Sequence, residues 1–92
     1  MKVRISAPAA AELAAAVAYL WAENPTAARA VGAAIERAIE SLTDFPHRGR
    51  SGQFPGTREL PVRNAPYVVI YAVRDEDVLV LRIRHTSRDP SP

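Results

Sequence analysis

The last third of the chain, Thr57–Arg88, constrains the fold most because it contains three strand-like runs separated by very short connections. The runs are Arg58–Val62, Pro66–Arg74 and Asp77–His85. Most residues of the second run are β-branched or aromatic, the types that suit a pleated and half-buried surface. The charged segment at 74–77 is short enough for a hairpin connection. The pattern therefore predicts an antiparallel three-stranded meander.

Side chains alternate between the two faces of a strand, and this assigns two faces to the third run. The odd-numbered positions share one face: Leu79, Leu81, Ile83 and His85. The even-numbered positions share the other: Val78, Val80, Arg82 and Arg84. We expect the first face to cover the core and the second to become basic toward the end of the chain.

The first half of the chain reads as a short strand followed by two helices. Lys2–Ile5 predicts the strand, and Ser6 can cap a first helix that runs to about Trp21. Asn24 followed by proline is a start signal for a second helix, which ends near Asp44. The short link makes the two helices an antiparallel hairpin. The predicted fold class is α+β, in the order strand, helix, helix and three strands, with the helices packed on one sheet face.

Composition limits the function classes. Hydrophobic residues make up 48% and charged residues 24% of the 92 positions, which predicts one small globular domain over 1–88 and a disordered tail at 89–92. The chain has no cysteine and two histidines, so we expect no disulfide, no metal and no cofactor. No stretch is apolar enough to span a bilayer or to serve as a signal peptide. We therefore expect a cytoplasmic protein.

Charge is distributed unevenly along the chain. Residues 1–45 carry four basic and five acidic side chains, whereas residues 46–92 carry eight arginines and five acidic side chains. The loop His47–Gly56 contains Arg48, Arg50 and three of the four glycines. Arginine offers a planar fork suited to carboxylate and phosphate. An acidic protein or a nucleic acid is therefore a plausible partner, although a glycine-rich basic loop is also ordinary mobile surface.

Several residues with possible functions also have simpler interpretations. His85 alternates with apolar residues, so a packed and hydrogen-bonded side chain is more common there than a catalyst. Arg82 and Arg84 are equally consistent with a solvated sheet face and with a binding surface. Trp21, at the end of the first helix, suits packing of the hairpin better than a ligand platform.

Motifs along nearly the whole chain resemble the RelE/ParE superfamily of toxins from bacterial type II toxin–antitoxin modules. They are A-x-x-E-L at Ala9–Leu13, N-P-T-A-A at Asn24–Ala28, L-x-x-F-P-x-x-G-R at Leu42–Arg50, G-T-R-E-L-P-V at Gly56–Val62, Y-V-V-I-Y-x-V at Tyr67–Val73 and V-L-x-L-R-I-R-H-x-S-R at Val78–Arg88. The resemblance implies a cognate antitoxin that wraps the helical hairpin and reaches the sheet. It also implies a contact surface for target or antitoxin, formed by Trp21, Arg48, Arg50, Arg58, Arg82, Arg84 and Arg88.

The two branches of this superfamily imply different activities. RelE-like members cut mRNA on the ribosome, which requires a base, an acid and a cation over the phosphate. If this chain is such an endoribonuclease, Arg58, Arg82 and His85 are its catalytic candidates. ParE-like members act on DNA gyrase without that chemistry. Lys2 is the only lysine and no tyrosine follows Tyr71. These departures from the nuclease pattern favour the ParE-like branch, and with it a protein that is not an enzyme, over the endoribonuclease. A family member that has lost its toxicity is a further alternative.

Overall fold

The computed structural model describes residues 1–88; the predicted tail at 89–92 lies outside them. Two helices precede most of a five-stranded sheet. The elements are β1 Lys2–Ile5, α1 Ala7–Glu23, α2 Pro25–Ser41, β2 Arg50–Ser51, β3 Arg58–Pro61, β4 Tyr67–Val73, β5 Asp77–His85 and a closing 3-10 turn, Thr86–Arg88. The predicted α+β order of elements is confirmed, with β2 as an added strand inside the predicted loop His47–Gly56.

Side-chain caps fix the ends of the helices as the sequence predicts. The Ser6 hydroxyl accepts a hydrogen bond from the Ala9 N–H at 3.2 Å and begins α1. Asn24 is the only residue between the helices. Its N–H donates to the Leu20 carbonyl at 2.7 Å, and its side-chain oxygen accepts from the Ala27 N–H at 3.1 Å. One residue therefore ends α1 and begins α2, which folds the helices into a hairpin.

The strand order across the sheet is β1-β5-β4-β3-β2. Strands β3, β4 and β5 form the predicted antiparallel meander, and β2 extends it through Arg50 and Ser51. The first strand pairs in parallel with β5, from Lys2 opposite Asp77 to Ile5 opposite Val80. The sheet is therefore mixed, because this pair is parallel and the other three pairs of neighbouring strands are antiparallel.

The core lies between the helical hairpin and one face of the sheet. The second helix supplies the buried side chains of Ile35 and Ile39, and its C-cap residue Leu42 is buried beside them. Gly32 permits close helix packing, because a Cβ there would lie 3.3 Å from Val17 Cγ2. The buried sheet residues opposite are Leu60, Val62, Tyr67, Val69, Tyr71, Val78, Val80 and Ile83.

The predicted faces of β5 are partly wrong because a β-bulge interrupts its alternation. Tyr71 lies opposite Val80, whereas Ile70 lies opposite Arg82, so Leu81 is an extra residue in β5. The buried side chains before the bulge are Val78 and Val80, and the buried side chain after it is Ile83. Leu79 and Leu81, predicted to cover the core, are only half-buried. We call the face opposite the helices the outer face.

Candidate functional site

A groove of about 320 Å³ lies on the outer face, and we call it the outer groove. Four apolar side chains that do not join the core line it: Phe54, Val68, Ile70 and Leu81. Its polar lining includes four of the predicted site residues, Arg50, Arg82, Arg84 and His85. The bulge contributes to this grouping because it shifts the register of β5 between its apolar half and its basic half. Arg48, Arg58 and Trp21 do not line the groove.

Arg82 is engaged by a carboxylate from α1. Its Nε and Nη2 donate to Glu12 Oε2 at 3.0 and 2.6 Å, and the Ile83 N–H donates to Glu12 Oε1 at 2.8 Å. The arrangement follows from the sheet: β1 ends opposite Val80, so the edge of β5 beyond that residue lacks a neighbouring strand. Glu12 binds that edge and the adjacent guanidinium together.

The environment of Glu12 keeps its carboxylate charged. Partial burial acts to raise the pKa of Glu12, but hydrogen bonds from Arg82 and the Ile83 N–H, with the positive charges of Arg82 and Arg84, outweigh it and lower the pKa. The same pair raises the pKa of Arg82. Sequence reasoning did not select Glu12, although its signal was present: it is the only charged residue in the alanine-rich segment before Trp21.

Arg58 holds the loop between α2 and β3. Its Nη1 donates to the Gly49 carbonyl at 2.8 Å and to the His47 carbonyl at 3.2 Å. The Tyr71 hydroxyl accepts from the Gly49 N–H at 2.8 Å. We call these three hydrogen bonds the loop clasp. One nitrogen of the Arg58 guanidinium, Nη1, is therefore occupied by backbone carbonyls.

His85 is half-buried and is held by two neighbours. Its ring meets the Tyr67 ring edge to face, with centroids 5.1 Å apart and planes at 81°. Its Nδ1 accepts from the Ser87 N–H at 3.1 Å and lies 2.9 Å from the Ser87 hydroxyl oxygen. Within residues 1–88, Nε2 makes no hydrogen bond. The ring is oriented by packing at the outer groove, and one nitrogen is left for a ligand.

The remaining predicted site residues are dispersed. Arg50 pairs with Glu59 at 3.2 Å on the rim of the outer groove, and Phe54 beside it is 63% exposed. Arg48 lines a different cavity, next to α2. Arg84 is half-buried in the outer groove, and Arg88 is the last residue of the 3-10 turn.

Trp21 belongs to a third surface, on the helical hairpin. It is 47% exposed, and the Arg29 guanidinium lies 5.1 Å from its ring centroid. Ile5, Leu13 and Val17 lie beside it with intervening alanines, and this set forms a shallow apolar depression. We call it the α1 apolar patch. The tryptophan therefore contributes to packing of the hairpin, as predicted, while keeping half of its surface accessible.

None of the helices within 1–88 has the length and hydropathy needed to cross a membrane. Over the same residues, no three histidine or acidic side chains come together as a metal site.

Comparisons with known proteins identify relatives of the whole fold. A family model described as the ParE toxin of the type II toxin–antitoxin system parDE matches residues 3–90. Toxin RelE2 of Caulobacter vibrioides is 39% identical over 80 residues, which cover 87% of this chain and 89% of that protein. Toxin RelE1 of the same organism is 39% identical over 71 residues, covering 75% of each chain. The solved structure "Chromosomal ParDE TA system from P. aeruginosa" has a TM-score of 0.83 and 24% identity, covering 92% of this chain and 95% of that one, and shares the fold.

Proposed function

This chain belongs to the ParE toxin family of type II toxin–antitoxin systems, and we propose that it inhibits growth by acting on DNA gyrase in the cytoplasm until a cognate antitoxin neutralises it. The observation that carries the proposal is the engagement of the two arginines that were the catalytic candidates for RNA cleavage. Arg58 donates to two backbone carbonyls, and Arg82 is bound by Glu12. To turn these nitrogens to a phosphate, Arg58 would give up its loop carbonyls through Nη1, and Arg82 would give up Glu12 through Nε and Nη2.

The chemistry of RNA cleavage is what makes this engagement an argument for gyrase over the ribosome. Attack by a 2′-hydroxyl needs a cation over the phosphate throughout the reaction, because negative charge develops there. To place its Nε and Nη2 on a phosphate, Arg82 would have to release the Glu12 carboxylate. That carboxylate also binds the strand edge at the Ile83 N–H. A toxin that acts by binding another protein has no such requirement. The contacts therefore favour gyrase inhibition over ribosome-dependent cleavage.

The α1 apolar patch supports the antitoxin as the second partner. Ile5 and Trp21 are 44% and 47% exposed, which is high for large apolar side chains in a small domain. An amphipathic antitoxin segment that lies across the helical hairpin would cover both. Such a segment is disordered when free and orders on binding.

A cell-based and a purified assay test the gyrase proposal together. We expect expression of the chain alone to cause filamentation and a DNA damage response, and co-expression of the neighbouring reading frame to restore growth. We expect the purified protein to inhibit supercoiling by gyrase, with His85→Ala inhibiting equally well. Normal growth at confirmed expression of folded protein would argue against a toxin, and unaffected supercoiling would argue against gyrase.

Ribosome-dependent mRNA cleavage is the alternative function, favoured by two observations. Relatives that are 39% identical carry the name RelE, and the outer groove groups Arg50, Arg82, Arg84 and His85. Under this alternative, mRNA cuts would appear within minutes of expression. They would be abolished by His85→Ala at unchanged thermal stability, because His85 would be the acid or base.

A further inference from the structure

A cavity of about 290 Å³ lies between α2 and the turn that joins β3 to β4. Three arginines line it from three separate segments: Arg37 from α2, Arg48 from the loop after α2, and Arg63 from the turn. We call it the arginine cavity. It is not part of the outer groove, and none of the three residues lines that groove.

The three arginines of this cavity differ from the other arginines with described side chains, because their guanidiniums have no partner in the described part of the chain. Within residues 1–88 their guanidiniums make no ion pair and no hydrogen bond. The other arginines with described side chains all have partners: Arg4 and Arg74 share Asp77, Arg29 stacks on Trp21, Arg50 pairs with Glu59, Arg58 donates to carbonyls, Arg82 pairs with Glu12, and Arg84 is also engaged. The unpaired guanidiniums thus collect around one cavity.

Like charges grouped at one place repel each other, so an anionic ligand gains from all three at once. The surrounding backbone is fixed before any ligand arrives. Arg48 immediately precedes Gly49, which the loop clasp fastens. Arg63 precedes Asn64, which has a positive φ of 63° in a turn closed by the Val62 N–H and the Tyr67 carbonyl at 2.9 Å. Two of the three arginines therefore stand on fixed backbone, Arg48 beside the loop clasp and Arg63 in the closed turn.

We propose that the arginine cavity binds an acidic peptide segment, with one or two carboxylates between the guanidiniums and an apolar side chain against the cavity wall. Apart from the arginines and Asn64, the wall is apolar: Ala34, Ala38, Leu60 and Pro61. A nucleic acid fits less well, because proteins bind a phosphate backbone with a row of positively charged side chains along their surface. Here the other arginines with described side chains are engaged, and the net charge of the chain is only +2. The proposal rests on the proposed function only in naming the antitoxin as the protein that supplies this acidic segment.

The first experiment needs neither the antitoxin nor gyrase, so its failure is separate from failure of the proposed function. Random dodecapeptides displayed on phage are selected for binding to the wild-type protein. Peptides that also bind the triple variant Arg37→Gln/Arg48→Gln/Arg63→Gln are then removed. We expect the surviving peptides to combine aspartate or glutamate with neighbouring apolar residues. Survivors without acidic residues, or no survivors, would overturn the proposal. Thermal unfolding confirms that the triple variant is folded.

Binding of one selected peptide, measured by fluorescence anisotropy, then tests each arginine. We expect Arg37→Gln or Arg63→Gln to weaken binding about tenfold, as for loss of one charge-assisted hydrogen bond. Lys2→Gln is the matched control, because Lys2 is exposed on the opposite edge strand, and binding should change less than about twofold. Tighter binding of a 20-nucleotide single strand at the same arginines would overturn the proposal. Displacement of the peptide by submillimolar inorganic phosphate would also overturn it.

Discussion

The loop clasp gives the sharpest prediction for stability. Tyr71 is fully buried, and its hydroxyl is the acceptor for the buried Gly49 N–H. Tyr71→Phe keeps the ring and its packing but leaves this N–H buried without a partner. An unsatisfied buried amide costs about 1–3 kcal/mol. In a domain of this size each kcal/mol lowers Tm by about 4–8 °C, so a cost of about 2 kcal/mol lowers it by roughly 8–16 °C.

Thermal and urea unfolding of the two proteins measure this cost, with Tyr67→Phe as the matched control. Tyr67 is also buried, but within residues 1–88 its hydroxyl makes no hydrogen bond, so its removal should change the free energy of unfolding by less than about 0.5 kcal/mol. Amide exchange adds a local readout, because the Gly49 N–H should lose its protection. A Tm of Tyr71→Phe within about 2 °C of the wild type would refute the reasoning.

Three further predictions concern single positions, each measured by urea unfolding. Glu12→Gln should lower the free energy of unfolding by about 1 kcal/mol at pH 7. Despite partial burial, hydrogen bonds from Arg82 and Ile83 lower the pKa of Glu12 in the folded protein. The difference in stability is therefore present above the ordinary pKa of 4.5 and disappears as pH falls through the folded pKa. An equal difference at pH 7 and in acid would contradict this. Gly49→Ala should cost about 1–3 kcal/mol, since its Cβ would lie 2.6 Å from the Tyr71 hydroxyl, and wild-type stability would exclude that crowding. Gly56→Ala should cost about 1–2 kcal/mol through its φ of 80° alone, and Gly56→Asn should recover part of this cost.

Local signals along the chain were enough to predict the helices and the meander. Ser6 and Asn24 act at the helix ends through their own side chains, so their roles are readable without knowing the fold. The neighbour of β1 was not readable, because a four-residue strand carries no mark of which distant strand it pairs with. The bulge at Leu81 was missed because one extra residue reverses the alternation without changing composition.

The candidate site was less predictable than the fold because it depends on which charges meet. Arg82 and Arg84 looked equivalent in sequence, yet Glu12, 70 residues away, binds the Arg82 side chain. Arg58 looked like a candidate for phosphate binding and donates instead to loop carbonyls. Arg37 and Arg63 carried no motif at all, and only the packing of α2 against the turn brings them to Arg48.

The pairing of β1 with β5 has a consequence for synthesis of the protein. Lys2 and Asp77 are partners at opposite ends of the chain, so the first strand is made long before its neighbour exists. Contacts of such long sequence separation slow folding, because most of the chain must be ordered to close them. A chain that stops before Asp77 lacks the buried side chains of β5 and leaves β1 unpaired. A nonsense mutation just before the codon for Asp77 should therefore inactivate the protein as completely as one near the codon for Lys2.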